Sequence, residues 1–127
     1  SSDVCSSDLV VWVNDEKQMD DITAVSGSGP AYVFAFLEAL ENAGIAQGLQ
    51  PDQARLLAIQ TVQGAASLAA QSSEPPSVLR EKVTSKGGTT YAALQVLEKE
   101  SWADIMAKAI KAASARGAEM GDEFSRQ

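Results

Sequence analysis

The sequence predicts an all-α protein that is built as a bundle of about five helices. Apolar residues recur at three- and four-residue spacing through most of the 127 residues, and glycine and proline clusters separate these stretches. Only Val10–Val13 carries the β-branched and aromatic run typical of a strand. A lone strand needs partners, so we interpret Val10–Val13 as the remnant of a sheet in an N-terminal domain that precedes this segment.

The first nine residues, SSDVCSSDL, fit neither a strand, nor a helix, nor a signal peptide, which needs a basic start and an apolar centre. The run DVCSSDL is what the sequencing-adapter end GACGTGTGCTCTTCCGATCT encodes in one frame. We therefore predict that residues 1–9 are not native and that Cys5 has no redox role; an ordinary disordered terminus is the alternative. Residues 10–18 are then the remnant and linker of the N-terminal domain, and residues 19–127 are the helical domain.

Helices are predicted from Met19 onward. The cluster Ser26–Pro30, with the sequence SGSGP, predicts a tight turn whose proline suits the first turn of the next helix. That helix, Ala31–Gly44, is apolar on nearly all sides, so it must be covered on more than one side. Gly44 and Gly48 predict its end.

Four further helices follow. The second main helix begins at Pro51, and its many alanines and Gly64 suggest close approach of another helix. Ser101 predicts the N-cap of the last helix, with Asp104 in its first turn. The predicted bounds are Pro51–Ala70, Pro76–Lys82, Tyr91–Lys99 and Trp102–Met120, with a linker at Ser72–Pro76.

The composition excludes several classes of function. Ten Lys and Arg against 17 Asp and Glu give a net charge of −7, which argues against binding to nucleic acid or to anionic membranes. The sequence has no His and one Cys, which removes imidazole general bases and Cys-rich zinc sites and indicates a reduced, cytoplasmic setting. The longest apolar stretch, Ala31–Leu37, is too short to span a bilayer.

The amount of apolar surface predicts an assembly. Five modest helices, one of them apolar all round, have more apolar surface than a small bundle hides easily. We therefore predict an intimate homo-oligomer, and a monomeric bundle with one central helix is the alternative.

Two glycine-containing segments are candidate ligand sites. SGSGP lacks the third glycine of a dinucleotide loop and follows no clear strand, so we interpret it as a turn. The segment Thr84–Thr90 leads straight into a predicted helix N-terminus, where glycines and free amides favour a carboxylate or phosphate. A flexible turn before a helix that is capped by Thr89 or Thr90 fits these residues equally well.

Two motifs, in the right order, resemble one enzyme family. Val83–Glu98, VTSKGGTTYAALQVLE, resembles the signature V-[TS]-S-P-G-G-[TA]-T of pyrroline-5-carboxylate reductases. Thr23–Leu40, TAVSGSGPAYVFAFLEAL, resembles the opening of that family's C-terminal domain, and Leu49–Ala69 fits in position and spacing. The resemblance covers Val10–Phe124 and implies the helical C-terminal half of a protein whose N-terminal half is a Rossmann domain.

The resemblance also implies an activity. The family reduces 1-pyrroline-5-carboxylate, a small molecule, to L-proline with NAD(P)H in the last step of proline biosynthesis. It implies that NADPH or NADH is bound by the missing N-terminal domain, that no metal is used, and that the fragment alone is inactive. It further implies that the helical bundle forms an intertwined homodimer, with a larger ring of dimers as an option. The alternatives are a non-catalytic helical dimerisation module and the helical domain of a related dehydrogenase.

By this resemblance the loop before the fourth predicted helix holds the substrate. Thr90 is the catalytic candidate, because its hydroxyl would hydrogen-bond the substrate ring nitrogen from the partner subunit. Backbone amides, chiefly those of Gly88, Thr89 and Thr90, would bind the substrate carboxylate with help from the Ser85 hydroxyl. Lys86 replaces the family's usual proline and adds a cation there. The full set of predicted substrate-binding residues is Val83, Ser85, Gly87, Gly88, Thr89 and Thr90.

Overall fold

The computed structural model describes the backbone of residues 2–6, 9–13 and 15–126 and the side chains of 15–126. Two strands, β1 (Ser2–Ser6) and β2 (Leu9–Val13), precede the helices. The helices are α1 (Glu16–Ile22), a π-helix (Thr23–Gly27), α2 (Gly29–Ala46), α3 (Pro51–Gln71), α4 (Pro76–Lys82), α5 (Thr89–Lys99) and α6 (Trp102–Ser125). The helical fold class is confirmed, and the five predicted helices correspond to α2–α6.

The N-terminal segment forms a hairpin. Strands β1 and β2 are antiparallel, with Ser2 opposite Val13. The predictions that residues 1–9 contain no strand and that β2 has no partner in this chain are therefore wrong. An antiparallel ladder is built from main-chain groups, so a neighbouring extended segment can pair even when its side chains are uncommon in strands. The side chain of Cys5 and all of Asn14 lie outside the described residues.

Helix α1 begins earlier than the sequence pattern indicates. Asp15 has an extended backbone, and its carboxylate accepts a hydrogen bond from the Gln18 amide at 2.7 Å. This is an N-cap, which satisfies one of the donors that a helix start leaves without a partner. The helix therefore starts at Glu16, three residues before the predicted start at Met19.

The cluster Ser26–Pro30 is not the predicted turn. The π-helix runs to Gly27, Ser28 is a bend with helical backbone angles, and α2 begins at Gly29. The Ser28 amide donates to the Thr23 carbonyl at 2.8 Å. The Tyr32 hydroxyl donates to the Ala24 carbonyl at 2.8 Å, and Ala24 is buried. These contacts hold a conformation that the Gly and Ser content alone does not favour. The predicted placement of Pro30 in the first turn of α2 is confirmed.

The end of α2 is a Schellman motif. Gly48 has a φ of +114°, and its amide donates to the Ile45 carbonyl at 2.9 Å. The Leu49 amide donates to the Gly44 carbonyl at 3.1 Å. Gly48 thus ends the helix, as predicted, whereas Gly44 lies inside it. A Cβ at Gly44 would lie 3.1 Å from the Leu49 side chain and 3.6 Å from the Ala54 Cβ, so this glycine permits close packing of α2 on α3.

The chain divides into two compact units, residues 1–33 with 101–127 and residues 34–100. In the first unit α6 packs against α1 and the π-helix, and an open groove of about 930 Å³ lies between α1 and α6. In the second unit Ala54 and Ala58 of α3 are buried. Together with Ala24 these are the buried hydrophobic residues in the part of the chain that the structure describes.

Candidate functional site

The loop between α4 and α5 begins with backbone hydrogen bonds to the last turn of α4. The Val83 and Thr84 amides donate to the carbonyls of Arg80 and Glu81, at 3.3 and 3.1 Å. The Thr84 hydroxyl donates to the Arg80 carbonyl at 2.6 Å. These bonds satisfy carbonyls that a helix end otherwise leaves free, and they fix where the loop begins.

The next four residues form a type II β-turn. The Gly88 amide donates to the Ser85 carbonyl at 3.1 Å, and Gly87 has a φ of +74°. Lys86 does not have a positive φ, which excludes the type I′ alternative. Gly87 occupies the one position of a type II turn that requires positive φ and therefore favours glycine.

Gly88 is the N-cap of α5, and it is glycine for a steric reason. A Cβ at this position would overlap the Ser85 hydroxyl and lie 3.3 Å from the Ser85 carbonyl oxygen. Helix α5 begins at Thr89, two residues before the predicted start at Tyr91. The interpretation that Thr89 or Thr90 caps this helix is therefore wrong, because the cap is a residue without a side chain.

Three amides at the start of α5 are available to a ligand. The first helical bond of α5 runs from the Ala92 amide to the Gly88 carbonyl at 3.1 Å. Within residues 15–126, the amides of Thr89, Thr90 and Tyr91 have no acceptor, and the first turn holds no acidic residue. Free amides and the positive end of a helix dipole favour an anion. The Tyr91 amide was missed by sequence reasoning, because the donors predicted from the family resemblance were the amides of Gly88, Thr89 and Thr90.

The predicted site residues lie in this loop and in the first turn of α5. Val83 is 68% exposed at the end of α4. Ser85, Gly87 and Thr89 are exposed, whereas Gly88 and Thr90 are half-buried. The Thr90 hydroxyl makes no hydrogen bond to the described residues, so it is free to contact a ligand.

The described residues do not fit a dinucleotide or a metal. A dinucleotide loop connects a strand to a helix, but SGSGP spans the end of the π-helix and the start of α2. No group of three or more acidic, His or Cys side chains within residues 15–126 is arranged to hold a metal ion. None of the described helices is long and apolar enough to cross a membrane.

Comparison with known proteins gives consistent matches. Residues 16–120 match the family described as pyrroline-5-carboxylate reductase dimerisation. The chain is 47% identical over 116 residues to a pyrroline-5-carboxylate reductase of Vibrio alginolyticus, covering 91% of this chain and 43% of that protein. It is 46% identical over 110 residues to one from Pisum sativum, covering 87% of this chain and 40% of that protein.

Solved structures of proteins with the same name also match this chain. The pyrroline-5-carboxylate reductase of Coxiella burnetii matches with a TM-score of 0.83 and 45% identity, over 86% of this chain and 40% of that one. The pyrroline carboxylate reductase of Plasmodium falciparum, solved with NADP bound, matches with a TM-score of 0.82 and 38% identity, over 85% and 41%. The chain thus spans about two fifths of the length of these relatives, in their C-terminal part.

Proposed function

This chain belongs to the pyrroline-5-carboxylate reductase dimerisation family, and from that premise we propose that it is the helical C-terminal part of a pyrroline-5-carboxylate reductase. Such an enzyme reduces 1-pyrroline-5-carboxylate to L-proline with NAD(P)H. The observation that carries the proposal is the family match across α1–α6, which includes the anion-binding turn before α5. A cytoplasmic location belongs to the proposal, because a single Cys suits a reduced compartment.

In this proposal the start of α5 binds the substrate carboxylate. The free amides of Thr89, Thr90 and Tyr91 donate to its oxygens, and the exposed Ser85 hydroxyl assists. The Gly88 amide already donates within the turn, so Gly88 contributes mainly by leaving space for a ligand. Gly87 supports the turn, and Val83 provides an exposed apolar surface beside it.

Thr90 is the proposed catalytic residue. Its hydroxyl has no hydrogen-bond partner within residues 15–126, and in this proposal it hydrogen-bonds the substrate ring nitrogen from the partner subunit. When a C=N bond is reduced, the nicotinamide supplies a hydride to carbon and the nitrogen gains electron density, so a positioned hydroxyl assists without a strong base. The dinucleotide is assigned to the N-terminal part of the enzyme, because the described residues do not form its site.

A homodimer is part of the proposal, and burial supports it. The hydrophobic residues buried within residues 15–126 are three alanines, whereas large apolar side chains stay exposed. Phe34 is 67%, Phe36 54% and Leu68 64% exposed. Apolar surface of this extent is typical of a chain that is completed by a partner. We assign that partner to a second copy, and a ring of such dimers is a further possibility for the intact enzyme.

Two measurements on this chain test the proposal. Sedimentation should show a dimer or larger species whose stability rises with protein concentration. Calorimetric titration should show no appreciable binding of NADPH. A folded monomer at micromolar concentration would contradict the dimer, and micromolar NADPH binding would contradict the assignment of the dinucleotide to another domain.

A chimera tests the activity itself. Residues 16–127 are joined to the N-terminal part of the Vibrio alginolyticus reductase, and substrate-dependent oxidation of NADPH is measured. The chimera should reduce pyrroline-5-carboxylate, whereas this chain alone should not. A folded, dimeric chimera that binds NADPH but lacks activity would favour the alternative function, a non-catalytic dimerisation module.

A further inference from the structure

The α4–α5 loop carries one charged side chain for which the proposed reaction has no role, that of Lys86. We propose that the Lys86 ammonium is a specificity-determining group that makes the start of α5 select carboxylates over neutral ligands of the same shape. This inference rests on the substrate site proposed above. It concerns a side chain at the second position of the turn, rather than the backbone amides.

The turn keeps Lys86 close to the free amides. Thr89, the first residue with a free amide, is three residues further along the chain, so the two Cα atoms are separated by at most about 11 Å. Lys86 stands directly before Gly87, whose positive φ reverses the chain direction toward α5. A four-carbon stem then allows the ammonium to approach a ligand at those amides.

Lys86 is available for such a contact. Its side chain is exposed, and it forms no ion pair with the described carboxylates. Lys82, at the end of the neighbouring helix, is instead paired with Glu74, and Arg55 is paired with Glu41 at 2.9 Å. An anion at the start of α5 therefore does not have to displace a protein carboxylate from Lys86.

The local charge favours an anion despite the acidic chain. Residues 80–97 contain Arg80, Lys82 and Lys86 against the acid Glu81, and Lys82 is paired with Glu74, so the net charge of these five residues is 3 − 2 = +1, compared with −7 for the whole chain. A carboxylate is attracted by this charge, whereas a neutral amide can accept the same backbone hydrogen bonds without the attraction. The side chain is exposed, so the effect is screened by salt.

A pair of ligands of one shape tests the inference. Cyclopentanecarboxylate and cyclopentanecarboxamide are titrated into the 127-residue chain, and the amide resonances of Thr89, Thr90 and Tyr91 are followed by NMR at low and high salt. Lys86→Gln should bind the carboxylate about two- to fivefold more weakly at low salt and show a smaller salt dependence. Its affinity for the carboxamide should not change, and Lys86→Arg should bind as the wild type does.

Lys99→Gln is the matched control, because it removes a cation from the last turn of α5, and it should bind the carboxylate as the wild type does. Equal carboxylate affinity in Lys86→Gln and the wild type would overturn the role of Lys86 and leave the proposed function intact. Absence of any carboxylate-induced shift in the wild type would instead overturn the substrate site, and the role of Lys86 with it.

Discussion

The hydroxyl of Ser114 donates a hydrogen bond to Oδ1 of Asp21 at 2.5 Å and so joins α6 to α1 across 93 residues of sequence. The ammonium of Lys17 binds the other carboxylate oxygen of Asp21 at 2.8 Å. At Gly117 of α6, a Cβ would come within 2.9 Å of an Asp20 oxygen. Helix α1 therefore packs against α6 through the polar contact at Ser114, and Gly117 leaves the space that the Asp20 side chain occupies.

The Asp21 contacts predict a pH dependence. Hydrogen bonds from Lys17 and then Ser114 hold the pKa of Asp21 below its usual value. A carboxyl group whose pKa is lower in the folded state stabilises the protein above the unfolded pKa, and that stability is lost as pH falls through the folded pKa. Urea-unfolding midpoints should therefore fall on acidification below about pH 4, and they should fall less steeply in Asp21→Asn.

Asp122→Asn is the matched control for this experiment. It removes another carboxylate beside the α1–α6 groove without removing either hydrogen bond to Asp21. Equal acid slopes in the wild type and Asp21→Asn would show that the contacts of the Asp21 carboxylate with Lys17 and Ser114 do not contribute to stability in solution.

The turn before α5 predicts a stabilising substitution. Lys86 occupies the second position of a type II turn, where proline is favoured, and its amide donates to no acceptor within residues 15–126. Lys86→Pro should raise the free energy of unfolding by about 0.4–1 kcal/mol, because it restricts the unfolded chain. Chemical denaturation at fixed protein concentration measures this, with Lys86→Ala as the control that lacks the ring. A loss of stability in Lys86→Pro would contradict the turn type.

Sequence periodicity predicts the regular helices of this chain well. The bounds of α4 are as predicted, and α3 ends one residue beyond the predicted Ala70. Pro51 and Pro76 mark these helix starts without ambiguity, since proline fixes φ and lacks the amide that a first turn leaves unbonded. The sequence also located the loop before α5, because glycines before a helix start indicate a turn and free amides there, whereas the binding of an anion stays a prediction.

Features that depend on individual side-chain contacts or on the backbone angles of single residues escaped the sequence analysis. The π-helix is held by the bond from Tyr32 to Ala24, and no local pattern encodes that contact. The Gly88 cap depends on the space left beside Ser85. The predicted N-cap Ser101 does precede α6, but its φ of +57° is left-handed and its side chain makes no cap hydrogen bond.

The Ser101 backbone leads to a further prediction. A non-glycine residue in the left-handed region is strained by its Cβ, and here no cap hydrogen bond offsets the strain. Ser101→Gly should therefore raise the free energy of unfolding by up to about 1 kcal/mol, after the entropy cost of glycine. Ser101→Ala keeps the Cβ and should give no such gain. Thermal melts of the three proteins decide this, and a destabilised glycine variant would contradict the strain.

Thr90 lies in the first turn of α5 but is not the N-cap of that helix. Its hydroxyl is therefore expected to contribute little to the stability of the helix. In the active chimera, Thr90→Ala should leave the melting temperature nearly unchanged, since alanine is a good helix former. It should lower kcat more than it raises KM, by roughly tenfold to a thousandfold, if the hydroxyl contacts the ring nitrogen as charge changes there. Thr90→Ser keeps the hydroxyl and should retain much of the activity. Steady-state kinetics with a thermal melt of each variant separates the outcomes: unchanged kcat in Thr90→Ala would end the catalytic assignment, and a kcat defect that serine restores would support it.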